Sequence, residues 1–176
     1  MSKTIIFIDG SNLYHSLKGL NSRTDLNFES FCRKLCAGRS LVRIYYYNAP
    51  VDQTKEPIRY KDQQKFFSQM RRVPYLELKL GRLIYRGSYP SVPPYEKGVD
   101  VLMSTDMLVH AFRGTFDELI LVSGDTDFSD ALQAVKDFGK HVEVALFPPL
   151  WSSQRLRDVA DKVIEVTPDF LSDCWL

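Results

Sequence analysis

An α/β fold, with a central and mainly parallel sheet flanked by helices in a three-layer sandwich, is the fold class that the sequence predicts. Short apolar runs rich in β-branched and aromatic residues alternate along the chain with segments of helical periodicity. The 176 residues are 44% hydrophobic and 26% charged, which is an ordinary globular composition. This length fits one domain, and we therefore expect a single domain over residues 1–176.

The first elements predicted are a buried strand and two helices. The run TIIFI, residues 4–8, is continuously apolar and stops at Asp9, as a strand buried on both faces would. Ser11 is a candidate cap for the next helix, predicted for residues 11–20. Residues 26–37 predict a second helix, which the glycine after it closes.

The middle of the chain predicts strands on either side of one long helix. Residues 41–50 are strand-like and end at a proline. Residues 55–72 contain no glycine and stop just before a Val-Pro pair, where a helix should end. Residues 75–80 and 82–86 predict a hairpin or two successive strands, and the prolines that follow make residues 87–96 a loop.

Helices and strands alternate regularly through the C-terminal half. Apolar residues recur at helical spacing between Gly98 and Gly114, which predicts a helix there. Further strands are predicted for residues 117–124, 141–147 and 162–166, with helices over residues 127–138 and 152–159 and a helical turn at the end. Strands that alternate with helices in this way favour a parallel sheet covered on both faces.

The net charge of +1 conceals an asymmetry along the chain. Residues 55–97 hold ten Lys/Arg and four Asp/Glu, whereas residues 98–176 hold six and fourteen. A basic segment followed by an acidic one is expected if the protein grips a polyanion and also binds cations. Solvated helix faces of opposite sign would give the same pattern, so charge alone leaves both explanations open.

Cysteine usage and the N-terminal segment indicate where the protein works. Cys32, Cys36 and Cys174 lack the spacing of a zinc site, and we expect ordinary reduced thiols. The start MSKTIIFIDG has one lysine and a short apolar stretch that meets an aspartate, which matches neither a signal peptide nor a membrane span. We therefore expect a cytoplasmic protein with no membrane partner.

Three segments place aspartates at one edge of the predicted sheet. Asp9 follows a strand directly, and Asn12 lies about one helical turn later. Asp125 and Asp127 follow another strand, and Asp100 lies in the first turn of a helix. Because ligands bind beyond the carboxyl ends of the strands in open α/β sheets, we expect these side chains to meet there.

Helix capping is the alternative explanation of each aspartate taken singly, since aspartate is a preferred N-cap. It does not explain Asp125 and Asp127 together, because one helix start needs only one such oxygen. Carboxylates without a nearby histidine cluster or cysteine pair are suitable ligands for Mg²⁺ or Mn²⁺. We predict a site for one of these ions, and we expect Asp106 and Asp130 to lie on solvated helix faces instead.

Three motifs make the sequence resemble a known family. IFIDGSNLY, KGVDVLMSTD and LVSGDTDFSDAL are similar to the NYN domain in its LabA-like branch, a member of the PIN-like nuclease superfamily with a Rossmann-like sheet. The resemblance runs from Thr4 to about Val144. It implies a metal-dependent ribonuclease, with catalytic or metal-binding roles for Asp9, Asn12, Asp100, Asp125 and Asp127.

Cations and rings in the middle of the chain suit a single-stranded or structured nucleic acid, which is bound through phosphates and by base stacking. RNA rather than DNA follows from the resemblance alone. Lys97, beside the acidic helix start, is a candidate to hold the scissile phosphate. The other candidates for substrate contact are Ser11, Arg82, Arg86 and Thr126. No motif indicates self-association, which stays open.

Three other functions compete with a nuclease. A haloacid-dehalogenase-type phosphatase needs a second aspartate two residues after the first, and Ser11 occupies that position. A dinucleotide-binding protein needs a G-x-G-x-x-G turn, which follows none of the strands. A non-catalytic RNA-binding or regulatory module that retains the acidic site is the remaining alternative, although four unneutralised carboxylates close together would cost it stability.

Overall fold

Six strands form one sheet at the centre of the protein, seen in a computed structural model that describes residues 1–150 and 153–176. The strands in chain order are β1 Lys3–Asp9, β2 Ser40–Asn48, β3 Leu76–Leu80, β4 Arg82–Ile84, β5 Tyr95–Lys97, β6 Glu118–Val122, β7 His141–Leu146 and β8 Lys162–Glu165. The central sheet has the order β3-β2-β1-β6-β7-β8, and every neighbouring pair in it is parallel. The prediction of a mainly parallel sheet is therefore confirmed.

Helices cover both faces of this sheet. They are α1 Gly10–Asn21, α2 Phe28–Cys36, α3 Pro57–Met70, α4 Val99–Phe112, α5 Ser129–Asp137 and α6 Gln154–Val159. One buried cluster joins α1, α2 and α3 to Ile6 and Ile8 of β1, and the other joins α4, α5 and α6 to Ile5 and Phe7. Successive strand residues point to opposite faces, so an uninterrupted apolar strand serves both layers. The three-layer sandwich is confirmed.

Most predicted elements are present, with boundaries shifted by a few residues. Of the two alternatives for residues 75–80 and 82–86, the two successive strands are present and the hairpin is not, because β3 pairs with β2 and β4 pairs with β5. β5 also lies partly within the predicted loop over residues 87–96. The helix predicted from residue 127 begins as a 3₁₀ turn, Thr126–Phe128, before α5. The helix predicted from residue 152 is α6, and its predicted first residue lies outside the described part of the chain.

Two assignments of polar residues on helices need correction. Asp9, and not Ser11, caps α1, because its side chain accepts a hydrogen bond from the backbone N–H of Asn12. Asp106 does not lie on a solvated face: its carboxylate accepts a 2.7 Å hydrogen bond from the hydroxyl of Tyr47, a fully buried side chain. Asp130 is exposed as expected, with an ion pair to Arg155.

Cysteine and phenylalanine side chains also contribute to the apolar core. All three cysteines are free and buried in the cluster that contains α1 and α2, as reduced thiols acting as small hydrophobic residues would be. Phe67 is fully buried, whereas its neighbour Phe66 is only partly so, which confirms that at least one of the two belongs to the core. None of the described helices is long and apolar enough to cross a membrane.

A charged network closes the amino-terminal end of the sheet. Arg39, in the turn before β2, contacts the carboxylates of both Glu118 and Glu143 and donates to two carbonyl groups at the end of α2. Glu143 is only 2% exposed, and Lys162 and His141 approach it from the side. The carboxylates of Glu118 and Glu143 are therefore paired with cations.

Candidate metal and phosphodiester site

The strand order reverses direction between β1 and β6, which are adjacent in the sheet. From β1 the chain continues to β2 and β3 on one side, and from β6 it continues to β7 and β8 on the other. Crevices form at such points beyond the carboxyl ends of the strands. Asp9 ends β1, and the segment Ser123–Asp127 follows β6, so the predicted acidic segments meet at this reversal.

Asp9 is held in a fixed orientation. The residue is 6% exposed, one carboxylate oxygen accepts from the Asn12 N–H at 3.1 Å, and the other accepts from the Ser123 hydroxyl at 3.0 Å. The chain turns into α1 at Gly10, where an added Cβ would lie 2.5 Å from the Tyr47 carbonyl oxygen and from a ring atom of Tyr46. Only glycine fits this tight approach, which brings the start of α1 against the end of β2.

The loop after β6 is ordered by hydrogen bonds to the first segment. The side-chain oxygen of Asn12 accepts from the Gly124 N–H at 3.0 Å, and the Ser123 hydroxyl accepts from the Asp125 N–H at 3.1 Å. Asp125 in turn accepts from the Asp127 N–H at 2.9 Å and so caps the 3₁₀ turn. Asp127 is exposed, and no side-chain bond of it is present among the described residues.

Asp100 reaches the same group of carboxylates from the first turn of α4. Burial raises its pKa, and the charges of Asp125 and Asp127 raise it further. Burial also raises the pKa of Asp9, against the lowering effect of the hydrogen bonds from Asn12 and Ser123, and Asp100 and Asp125 add to the increase. The four predicted aspartates therefore lie close enough to affect one another electrostatically.

Glu96 is a fifth carboxylate of this site that the sequence did not reveal. It lies on β5 opposite Leu83 of β4, in a two-stranded antiparallel ribbon outside the main sheet, which we call the β4–β5 ribbon, residues 82–97. Burial, followed by the charges of Asp9 and Asp100, raises the pKa of Glu96 to about 7. The only signal was its position four residues before Asp100, because strands of three residues are too short to be recognised from their pattern.

No cation of the described chain neutralises these five carboxylates. Asp9, Glu96, Asp100, Asp125 and Asp127 take part in no ion pair within residues 1–150 and 153–176. Burial and neighbouring negative charge raise the pKa values of Asp9, Glu96 and Asp100 among them, and a divalent cation would relieve this repulsion. The oxygen-only donor set fits Mg²⁺ or Mn²⁺, which are bound through few carboxylates with waters between.

The described residues contain one tighter group of metal-ligating atoms, at the other end of the sheet. Ligand atoms of Glu118, His141 and Glu143 all lie within 4.8 Å of one another. The guanidinium of Arg39 already contacts both carboxylates of this group. The acidic site at the carboxyl end has no such triplet among the described residues, so its oxygens are more widely spaced.

The predicted substrate-contact residues lie on, or directly next to, the segments that carry the acidic residues. Ser11, in the first turn of α1, is half-buried, and Thr126 is exposed on the 3₁₀ turn. Arg82 and Lys97 are opposite each other on the β4–β5 ribbon, so they share the face that Glu96 does not occupy. Arg86 stacks 4.9 Å from the centre of the Tyr95 ring. These residues remain candidates for binding a substrate.

Protonation of Glu96 makes stability depend on pH. Its pKa in the folded protein is about 7, above its ordinary value of 4.5, so the folded state holds a proton that the unfolded state has lost between these values. Stability in EDTA is therefore expected to fall as pH rises from about 5 to about 8, and Glu96→Gln should flatten that decrease. Melting temperatures across this range test the prediction.

Glu29→Gln is the control for this measurement, because Glu29 forms an exposed ion pair with Arg33 on α2, away from the acidic site. It should leave the dependence of the melting temperature on pH unchanged. Asp9 and Asp100, whose pKa values are also raised, are present in the parent and in the Glu96→Gln variant alike, so the difference between the two proteins reports on Glu96. Equal dependence on pH in the parent and in Glu96→Gln would contradict the assignment.

A parallel α/β sandwich with acidic residues at the reversal of its strand order is the architecture of the PIN-like nuclease superfamily. The chain belongs to the NYN domain family, whose model matches residues 3–168. It is similar in fold to a protein of unknown function from Vibrio parahaemolyticus, with a TM-score of 0.73, 24% sequence identity and coverage of 99% of this chain and 96% of that one.

A second solved structure, of a proposed oxidoreductase from Parabacteroides merdae, is similar with a TM-score of 0.35 and 12% identity. The match covers 94% of this chain and 31% of that one, and no inference rests on it. No curated protein matches the chain. Membership of the NYN family is thus the finding that connects the acidic site to nuclease chemistry.

Proposed function

We propose that the protein is a metal-dependent ribonuclease of the LabA-like branch, which hydrolyses RNA phosphodiester bonds at the carboxylates of Asp9, Asp100, Asp125 and Asp127. The observation that carries this proposal is the group of unpaired carboxylates at the strand-order reversal of an NYN domain. RNA as the substrate class is supported by that family membership. The proposal treats residues 1–176 as one catalytic domain.

The four aspartates would hold Mg²⁺ or Mn²⁺, and Glu96 adds a fifth oxygen ligand from the β4–β5 ribbon. When bound, such an ion offsets negative charge on the phosphate and favours attack of water on phosphorus. The protein prepares the site by keeping Asp9 in one orientation through Asn12 and Ser123. Because these carboxylates are already oriented, they need little reorganisation when the reaction occurs. Preorganised sites accelerate reactions in this way.

Asn12 acts in this proposal by positioning the loop after β6. Its side-chain oxygen is used by the Gly124 N–H, which leaves the amide NH₂ group to donate to a phosphate oxygen or a water. The side chain of Asp127 forms no hydrogen bond among the described residues. Its carboxylate can therefore reorient towards a bound metal ion or substrate. Lys97, Arg82 and Arg86 supply positive charge on the other face of the ribbon, where the RNA backbone outside the cleavage site would pass.

A non-catalytic RNA-binding module is the second candidate function. Two observations favour it: Asp9 and Asp125 already serve as caps, and the carboxylate oxygens of the site are more widely spaced than in a tight metal-binding triplet. A module of this kind would bind RNA and leave it intact. The two functions therefore differ in a single measurable outcome, which is cleavage.

Cleavage of a panel of end-labelled RNAs, with Mn²⁺, Mg²⁺ or EDTA, tests the proposal. The matched variant is Asp100→Asn, because Asp100 neither caps a helix nor forms a side-chain hydrogen bond among the described residues, so its loss should leave the fold intact. We expect cleavage by the parent that needs the metal ion and that Asp100→Asn lacks. If the RNA is bound but stays intact in every arm, the RNA-binding module replaces the ribonuclease as the proposed function.

A further inference from the structure

A cleft of about 860 Å³ opens beside the acidic site. Its walls are α1, α3 and the β4–β5 ribbon, and the end of β2 forms its floor. The size is within the range of pockets that hold small organic ligands, roughly 300–1,000 Å³. Gly10 and Ser11, which directly follow Asp9, line the cleft together with Glu96, so the cleft adjoins the acidic site.

Aromatic rings form much of the surface of this cleft. Tyr14 is 46% exposed, and its ring lies edge-on against that of His15, with centroids 5.5 Å apart. The Phe28, Tyr46 and Phe66 rings pack against one another deeper in the cleft. An exposed tyrosine in a cleft of this composition offers a flat apolar face with a polar edge, which suits a heterocyclic base.

Cations are present beside the rings. The Lys18 ammonium lies 5.8 Å from the centre of the Tyr14 ring, and Arg59 of α3 lines the opposite wall. Arg59 is bound to Glu56 through only one of its guanidinium nitrogens, so other donors stay available. Rings flanked by cations are the combination that binds the bases and phosphates of single-stranded nucleic acid.

We propose that this cleft binds unpaired nucleobases of an RNA strand next to the phosphodiester at the carboxylates, with Tyr14 as the stacking ring. This rests on the proposed function, because the neighbouring site supplies the reason for a phosphodiester to be there. Tyr14 lies four residues after Gly10 on α1, about 6 Å along the helix axis. The stacked base is therefore close to the scissile bond.

The three walls make the cleft selective for single strands. A base within a duplex is stacked on both faces, so it cannot also stack on Tyr14 without leaving its neighbours. Pro93 and Pro94 of the β4–β5 ribbon line the cleft, and the loop that carries them is held by a 2.5 Å hydrogen bond from the Tyr85 hydroxyl to Glu56, the residue directly before α3. This attachment keeps the ribbon wall in place, so a duplex would have to be opened locally before binding.

Fluorescence anisotropy of a labelled 12-mer RNA tests the proposal, with Ca²⁺ in place of Mg²⁺ and a gel to verify that the RNA is intact. The probe is measured as a single strand and as a blunt duplex. We expect the parent to bind the single strand at least about tenfold more tightly, and Tyr14→Ala to lose about five- to 150-fold of that affinity, the effect of removing one stacking ring. Tyr14→Phe keeps the ring and should retain most of the affinity.

Tyr75→Ala is the matched control, because Tyr75 is also an exposed tyrosine, at 56%, but lines a separate cleft near Arg33 and Pro74. It should bind like the parent. Equal affinity of the parent and Tyr14→Ala would overturn the proposal, as would equal affinity of the parent for duplex and single strand. Full competition by a mononucleotide at the concentration of the 12-mer would also overturn it, because the cleft would then be a pocket for a free nucleotide.

Cleavage assays with Mn²⁺ separate this inference from the proposed function. If the protein cleaves RNA and Tyr14→Ala does not change RNA binding, the nuclease function is supported and the base-binding role of the cleft is excluded. If RNA binding depends on Tyr14 but no cleavage occurs, the base-binding role of the cleft is supported and the nuclease function is excluded. Absence of RNA binding by the parent would overturn both.

Discussion

The Asp127→Asn variant is expected to fold like the parent and to cleave RNA about 100- to 1,000-fold more slowly, the cost of removing one electrostatic group from a preorganised site. The fold should be unaffected because the side chain of Asp127 is exposed and only its backbone N–H takes part in the turn, by donating to Asp125. Initial cleavage rates with Mn²⁺ or Mg²⁺, together with melting temperatures, provide the measurement.

Asp130→Asn is the control for this variant. Asp130 lies three residues further along, its side chain is 89% exposed, and it pairs with Arg155 outside the acidic site. Its replacement removes the same charge and should leave the cleavage rate unchanged. A rate of Asp127→Asn equal to that of the parent would exclude Asp127 from the site, and a large loss in both variants would indicate a general effect of net charge.

Arg39→Met is expected to have the largest effect on stability. The substitution leaves Glu143, 2% exposed, and Glu118 without the guanidinium that contacts both of them. Removing one partner of a buried ion pair costs about 3–5 kcal/mol, and the nearby Lys162 and His141 place the expected loss at the lower end, about 3 kcal/mol. The melting temperature should then fall by roughly 6–12 °C for a domain of this size.

Arg33→Met is the matched control, because Arg33 pairs with Glu29 on the exposed surface of α2. That pair is worth only about 0.3–0.5 kcal/mol. Combining Arg39→Met with Glu143→Leu should restore part of the lost stability, since the double variant has one fewer buried charge without a partner. A melting temperature of Arg39→Met no lower than that of Arg33→Met would show that the network at the amino-terminal end of the sheet is dispensable.

The main sheet could be predicted because its signal is local. Most of its strands are short, largely apolar runs, and the covering helices show local signals such as the helical spacing of apolar residues in α4 or a proline after α3, so a single stretch of sequence suffices. The β4–β5 ribbon could not be predicted in this way. Its strands have three residues each and pair across a loop of ten residues with several prolines, so their pairing depends on contacts that sequence patterns do not contain.

The residues of the candidate site differ in the same way, because some could be predicted from local sequence and others could not. Asp9, Asp125 and Asp127 were predictable because a buried strand immediately precedes each segment, which fixes their place at the sheet edge. Glu96 could not be predicted as a site residue, because its position depends on the pairing of β4 with β5. Asp106 was placed incorrectly on a solvated face, because its partner Tyr47 comes from a strand that lies 59 residues earlier.

The strand order β3-β2-β1-β6-β7-β8 is the one that dinucleotide-binding domains also use, yet the loop after β1 contains Asp9-Gly10-Ser11 and no glycine-rich phosphate turn. The same framework thus supports a different chemistry when the residues at its edge change. In this chain the sheet topology determines where the acidic residues meet, and membership of the NYN family connects them to nuclease chemistry.

Within the described part of the chain, the two strands of the β4–β5 ribbon pair only with each other, and the ribbon lies in the chain between β3 and α4. Changes of length or composition within it would therefore leave the register of the six-stranded sheet untouched. One segment carries both a carboxylate of the acidic site and lining residues of the neighbouring cleft, so under the proposed function a change in this segment is expected to alter substrate preference while the six-stranded sheet and the four aspartates stay in place.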